Sequence, residues 1–192
     1  MKKCLIVFFI CFASLSQYAC APLIVAGAAA GITTVAVERR TPGTVLEDQT
    51  IELKASELFH EDEGLNETAR VRATSYNTIL LLTGETPNEN LRQRAATIAR
   101  QIEKVSRVHN EITIGDKKSF NKGSNDTWIT TKVKTAITRE KNLNPIHIKV
   151  VTEKSTVFLM GIVSRDEGNR AAIRASKVKG VQRVIKIFDY TD

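Results

Sequence analysis

Ile79-Leu80-Leu81-Leu82-Thr83-Gly84 and Thr156-Val157-Phe158-Leu159-Met160-Gly161 are two apolar runs, each closed by a glycine, that stand 77 residues apart. The correspondence extends outward from them. Downstream, Ala96, Ala99, Ile102, Val105, Arg107 and Val108 meet Ala172, Ala175, Val178, Val181, Arg183 and Val184 at an offset of 76. Upstream, Val71-Arg72-Ala73 falls on Ile148-Lys149-Val150 at 77, and Ile51 and Lys54 fall on Ile129 and Lys132 at 78. A register that drifts by only two residues marks one structural unit written twice.

Each unit carries the same order of periodicities. Asp48 to Phe59 and Asp126 to Thr138 open with acidic or polar capping residues and place apolar residues at helical spacing, as in Ile129, Val133, Ala136 and Ile137. Ala69 to Tyr76 and Ile146 to Glu153 then alternate as strands. Short turns at Asn77-Thr78 and Lys154-Ser155 lead into the two apolar runs, which predicts an antiparallel hairpin in each unit. A second helix, Glu89 to Lys104 or Glu167 to Lys177, puts alanines on one side and arginines on the other. Val105 to Ile114 and Val181 to Phe188 supply the last strand. The sum is an α+β fold, αββαβ twice over, with a three-stranded mixed sheet and two helices on one face of each. Units of about 65 residues lie near the lower size limit for a self-supporting core, so the two copies are expected to pack together or share a firm linker. Gly84 and Gly161 are read as structural, ending strands where a side chain does not fit or φ is positive.

The N-terminus is an export signal. Met1-Lys2-Lys3 precedes an uncharged apolar run from Cys4 to Leu15 and a small-residue cleavage zone ending at Ala19-Cys20. Removal of residues 1–19 leaves Cys20 as the sole cysteine, so the mature chain has no internal disulfide. Cys20 stands where bacterial lipoproteins carry their diacylglyceryl cysteine, although Gln17 occupies the place usually held by Leu; an ordinary signal peptidase reading Ala19-Cys20-Ala21 is the alternative. Ala21 after the cysteine fits sorting to the outer membrane. Ala21 to Val37 is apolar, but 17 residues with two glycines are short for a span of about 20, so it reads as a tether, with a spanning helix as the weaker reading. Glu38-Arg39-Arg40-Thr41-Pro42-Gly43 closes the tether with charge and breakers. The expected division is a lipidated N-terminus and tether over 20–46, a first domain over 47–114, a linker over 115–124 and a second domain over 125–192.

The αββαβ unit, with its glycine-closed apolar strand and its Val-x-x-Val approach to the last strand, resembles the BON domain. The segment Ser124-Asn125-Asp126-Thr127-Trp128-Ile129-Thr130-Thr131-Lys132-Val133 and the run from Val157 to Gly161 resemble tandem BON lipoproteins of the bacterial outer membrane. The resemblance covers the chain from about Cys20 onward, and the unusual Gln17 is its one departure. It implies a lipid-anchored protein on the periplasmic face of the outer membrane that supports envelope integrity. It also implies binding of anionic phospholipid by the second domain and concentration at division sites.

The residues carry a chemistry suited to that role. The net charge is +7, but residues 48–114 hold eight Lys and Arg against eleven Asp and Glu, whereas residues 126–192 hold thirteen against seven. Basic residues beside an anionic bilayer contribute about 1 kcal/mol each, so the second unit is the one drawn to head groups. Trp128 is the only tryptophan, and helical steps from it reach Thr131, Lys132, Thr135 and Arg139, while the core stripe begins at Ile129. An indole flanked by cations suits the head-group level; the alternative is a ring folded under as a core or inter-repeat contact. Trp128, Thr131, Lys132, Thr135 and Arg139 are therefore the candidate phospholipid-binding residues, with phosphatidylglycerol or cardiolipin as the expected ligand.

Lys117, Lys118 and Lys122 in the linker are read as a solvated run. Arg165, Arg170 and Arg174 are read as solvated too, a like-charge cluster without nearby Glu partners. His60, His109 and His147 are placed in a loop, a strand start and a strand, with no spacing for a metal. Glu61-Asp62-Glu63 reads as a solvated turn. No nucleophile elbow, P-loop or zinc-protease motif occurs, so no enzyme activity, cofactor or metal is expected. Export argues against nucleic acid. The expected state is a monomer, and the competing function is a protein-interaction scaffold working with outer-membrane assembly or cell-wall partners.

Overall fold

The computed structural model describes residues 38–115 and 123–192. The signal segment, Cys20, the tether up to residue 37 and linker residues 116–122, including Lys117, Lys118 and Lys122, lie outside the described residues. The first repeat runs α1 (Pro42–Glu61), α2 (Glu63–Thr68), β1 (Arg70–Tyr76), β2 (Ile79–Thr86), α3 (Glu89–Gln101), β3 (Arg107–Asn110) and β4 (Thr113–Ile114). The second runs α4 (Gly123–Thr138), a 3₁₀ turn (Pro145–His147), β5 (Ile148–Glu153), β6 (Thr156–Val163), α5 (Arg165–Ser176) and β7 (Arg183–Tyr190).

Both sheets have the expected topology. β1 pairs antiparallel with β2 and β3 lies parallel to β2; β5 pairs antiparallel with β6 and β7 lies parallel to β6. The two-residue hairpin turns put Asn77 and Thr78 at φ 51° and 63°, and Lys154 and Ser155 at 49° and 61°. Side chains with a Cβ avoid this region, and the turn is stabilised from outside. Asp48 accepts from the backbone N–H groups of Asn77 and Thr78 at 2.9 and 2.8 Å, and Asp126 accepts from those of Lys154 and Ser155 at 2.7 and 2.9 Å. The two aspartates stand at the repeat offset of 78. They are clasps between helix and hairpin, a different task from the helix capping expected of them.

Several local expectations change. α1 begins at Pro42, because Thr41 caps it by accepting from Thr44 N at 3.1 Å and proline fits the first helical position. His60 therefore lies in the last turn of α1, not in a loop. Asp62 is no solvated residue: it caps α2 by accepting from Leu65 N at 3.1 Å and pairs with Arg94. Burial pushes its carboxyl up, but the Arg94 hydrogen bond and the α2 amides outweigh that and hold it below the ordinary carboxylate value. The expected last strand of the first repeat is broken at Glu111-Ile112, where Ile112 turns into the core. Gly84 and Gly161 lie within their strands rather than at the ends. A Cβ at Gly84 would stand 1.8 Å from Arg70 O, and one at Gly161 would stand 2.3 Å from His147 O, so neighbouring backbone occupies the space a side chain needs.

Each repeat has its own core between helices and sheet. Ile51, Ala55, Leu80, Leu82, Ala96 and Ala99 fill the first, and Ile129, Val133, Ile137, Val157, Leu159 and Ala175 fill the second. A third cluster joins Tyr76, Ile79 and Leu81 to Phe158, Met160 and Ile187. The sheets pack face to face, with the helices of each repeat outside. This explains why the two runs are apolar throughout: strand residues alternate between faces, and both faces of β2 and β6 are buried.

Charged pairs surround the apolar contact. Arg70 pairs with Glu153 and, at 3.5 Å, with Glu85, while Lys154 also reaches Glu85. Lys149 bonds Glu52 at 2.8 Å and Ser75 O at 3.1 Å, and Asn77 donates to Asp189 at 2.8 Å. The chain ahead of α1 crosses the same junction. Arg39 grips Glu167 with two hydrogen bonds of 2.7 and 3.0 Å and donates to Ile162 O at 2.8 Å, while Arg40 lies 3.9 Å over the Tyr76 ring and bonds Asp48. Tyr76 donates to Glu38, and burial together with the Glu38 charge pushes its hydroxyl up to about 12.

Two outcomes are expected. Asp126→Ala strands the two turn amides and should lower the unfolding free energy by about 2–3 kcal/mol, with Asp126→Asn losing less, as read from urea unfolding. The Arg39 hydrogen bond outweighs burial and holds the Glu167 carboxyl below its ordinary value. A carboxylate depressed in the folded state stabilises above its unfolded pKa and loses that contribution as pH falls through the lower folded value. The stability gap between the wild type and Arg39→Gln should therefore be full at neutral pH and close in strong acid.

Candidate functional site

α4 positions the candidate residues. Ile129, Val133 and Ile137 point into the second core and fix the rotation of the helix. Trp128 is consequently 61% exposed, which removes the reading of its ring as a core or inter-repeat contact. Lys132, one turn on, places its ammonium 5.4 Å from the centre of the indole ring, within cation–π range.

Thr131 and Thr135 are exposed on the same face, and each hydroxyl is spent on the helix itself: Thr131 donates to Thr127 O at 3.0 Å and Thr135 to Thr131 O at 2.9 Å. A surface that moves from water toward lipid loses least when its donors are already satisfied internally. Arg139 is exposed beyond the last residue of α4, about three helical turns from Trp128. Trp128, Thr131, Lys132 and Thr135 thus form one face, and Arg139 ends it at the far side.

The sequence reading missed a further cationic element. Lys132 donates to Lys179 O at 3.2 Å, so the loop from Lys177 to Gly180 lies against the middle of α4. Gly180 (φ 105°) holds that turn over Ile129, whose side chain would lie 3.2 Å from a Cβ. Lys177 and Lys179 are exposed there. About fifty residues separate this loop from Trp128, and only the packing of α5 and β7 against α4 brings them together.

Several other cations have partners elsewhere. Arg170 bonds Asp166 at 2.9 Å and Lys141 O at 2.7 Å, and both Arg170 and Arg174 reach Glu140. Arg165 lies 4.8 Å over the Tyr190 ring. The expected arginine cluster without Glu partners is therefore a bridge from α5 to the end of α4, with Glu140 supplied from outside the helix. Lys149 and Lys154 are committed to the first repeat. Among the described cations of the second repeat, Lys132, Lys134, Arg139, Lys177 and Lys179 pair with no carboxylate, and neither do Lys141, Arg165 and Lys186. The first five lie on α4, just beyond its end, or on the loop beside its middle, so a large part of the positive excess of the second repeat runs along the helix that carries the indole.

The histidines do not converge. His60 bonds Asn66, His109 sits in β3, where burial and then Arg107 pull its pKa below the ordinary value, and His147 ends the 3₁₀ turn. Among the described residues, no group of His, Cys, Asp or Glu is placed to hold a metal ion. No helix there is long and apolar enough to cross a membrane.

The BON domain family matches residues 47–116 and 125–191. The chain is 39% identical over 168 residues to the protein named outer membrane lipoprotein DolP of Haemophilus influenzae, covering 88% of this chain and 87% of that one. It is 34% identical to a 21 kDa hemolysin of Actinobacillus pleuropneumoniae, covering 83% and 82% respectively. A solved C-terminal domain of CdsD, a structural protein of the Chlamydia trachomatis type III secretion system, overlaps 76% of this chain and 67% of its own at 11% identity and a TM-score of 0.30, too low to carry an argument.

Because the chain has a single tryptophan, its emission reports this one face. Acrylamide should quench it nearly as fully in the folded protein as in urea, whereas a buried ring would be protected until unfolding.

Proposed function

Since the chain belongs to the BON domain family, we propose that it is an outer-membrane lipoprotein whose second domain binds anionic phospholipid through the Trp128 face of α4 and so supports envelope integrity. The observation that carries this reading is an exposed indole, 61% accessible, set among cations that pair with no carboxylate. The name of the Haemophilus relative supports the outer-membrane and lipoprotein parts, and the export signal with Cys20 agrees with it. The periplasmic face follows from export with an anchor at the N-terminus.

Binding on this reading is a surface event rather than capture in a cavity. The indole enters the head-group layer with Lys132 beside it, while Lys134, Lys177, Lys179 and Arg139 face lipid phosphates. Each cation near an anionic surface adds about 1 kcal/mol, so three or four engaged together change the binding constant about a hundredfold or more. That attraction is screened within a Debye length, so affinity falls as salt rises. The first domain, with its acidic balance, has no comparable attraction.

Co-sedimentation with vesicles of phosphatidylglycerol or cardiolipin tests the proposal. The full chain should bind these in preference to neutral phosphatidylcholine vesicles, with the preference shrinking at high salt. Trp128→Glu should weaken binding at least tenfold, and Lys179→Glu should weaken it about tenfold. Equal binding to neutral and anionic vesicles would overturn the reading.

A further inference from the structure

β7 closes the second sheet. β6 pairs with it along all eight residues, and among the described residues no strand pairs with its other edge. Thr191 N donates to Val163 O at 3.1 Å, which with the register sets the alternation: odd-numbered residues of β7 turn their backbone groups toward β6, and Val184, Lys186, Phe188 and Tyr190 turn theirs outward. The side chains alternate too. Ile185 and Ile187 join the cluster between the sheets, while Val184 and Tyr190 face α5.

Beside the open edge runs a shallow groove of about 360 Å³, lined by Ala172, Ile173 and Ser176 of α5 and by Val181 and Val184. Ile173 is 53% exposed on a helix whose other outward residues are polar or charged. The groove is rimmed by cations. The Arg183 side chain is 63% exposed with Glu111 no nearer than 3.9 Å, Lys186 is exposed and bonds only the Asn169 amide oxygen, and Lys177 is exposed at the end of α5.

We propose that the β7 edge docks an extended acidic peptide segment of a partner protein, added to the sheet as a fourth strand with an aliphatic side chain seated against Ile173. Each property of the occupant follows from a feature of the edge. An open row of backbone donors and acceptors selects an extended chain. The groove takes one or two aliphatic side chains at alternate positions, and the Arg183, Lys186 and Lys177 rim favours carboxylates between them. A second copy of this chain is a poor occupant. Two-fold antiparallel pairing of β7 on itself about its central outward-facing residue, Lys186, sets that lysine against its own copy and leaves Arg183 only Asp189 as a partner, whereas an acidic strand neutralises both cations. This surface lies on the open edge of β7 and meets the indole face of α4 only at Lys177, and the inference does not rest on the lipid reading.

A fluorescein-labelled octapeptide of alternating valine and glutamate, titrated into the full chain, tests it by anisotropy and by hydrogen–deuterium exchange. The peptide should bind and slow exchange over residues 183–190, and an analogue with lysine in place of every glutamate should bind at least tenfold more weakly. Ile173→Asp and Lys186→Glu, both at exposed positions and checked for folding by circular dichroism, should each weaken the valine–glutamate peptide at least tenfold. No binding, equal binding of the lysine analogue, or protection that leaves β7 unchanged would overturn the proposal. So would protection of β7 that rises with protein concentration in the absence of peptide, which would make a second copy the occupant.

Discussion

The structure depends on a constraint carried by two strands: β2 and β6 are apolar on both faces, while the helices of each repeat cover only one. Leu80 and Leu82 are satisfied inside the first repeat, and Val157 and Leu159 inside the second. Ile79 and Leu81 in one, and Phe158 and Met160 in the other, are buried against each other together with Tyr76 and Ile187. Burying a large aliphatic or aromatic side chain contributes about 1.5–3 kcal/mol, so the junction is a third core shared by two small ones. The ion pairs around it act differently. Glu85 is almost fully buried between Arg70 and Lys154, so removing either cation leaves a carboxylate deprived of a partner, and the pairs hold the orientation of a contact that apolar burial drives.

That junction also shapes the proposed lipid-binding face. The second repeat carries an excess of cations, yet Lys149 and Lys154 are drawn inward to Glu52 and Glu85, and Arg170 and Arg174 are held by Glu140. What is left over is not spread evenly. Five of these cations lie along α4, just past its end and on the loop after α5, with Trp128 among them, while Arg165 rests on Tyr190 and Lys186 on Asn169. The face is thus a remainder: the cations that neither the core nor the inter-repeat contact consumes.

The repeat made most of the fold legible in the sequence, because two independent copies of one periodicity constrain each other. The exposure of Trp128 was legible in kind, since Ile129 one position later belongs to the core stripe. Other features are recorded at separations that periodicity does not reach. Lys179 meets Lys132 across 47 residues and Glu140 meets Arg174 across 34, both through helix packing. The two aspartate clasps left a sequence signal that went unused. Asp48 and Asp126 share the repeat offset and oppose turns built from residues poorly suited to positive φ, and a turn without glycine at either position asks for support from elsewhere. The break between β3 and β4 had no such signal, since Glu111-Ile112 reads as a continuing strand until Ile112 is seen to fill the core.

The Arg39 fork has a mechanical meaning. It joins the segment ahead of α1 to Glu167, the residue that also closes the capping box of α5, so that segment is tied to both repeats, through Glu38 at Tyr76 and through Arg39 at Glu167, before α1 begins. Tension arriving from the amino side is therefore borne at the start of α5 and shared across both repeats, rather than peeling α1 from its sheet. A protein held by its leading end would be loaded as one block.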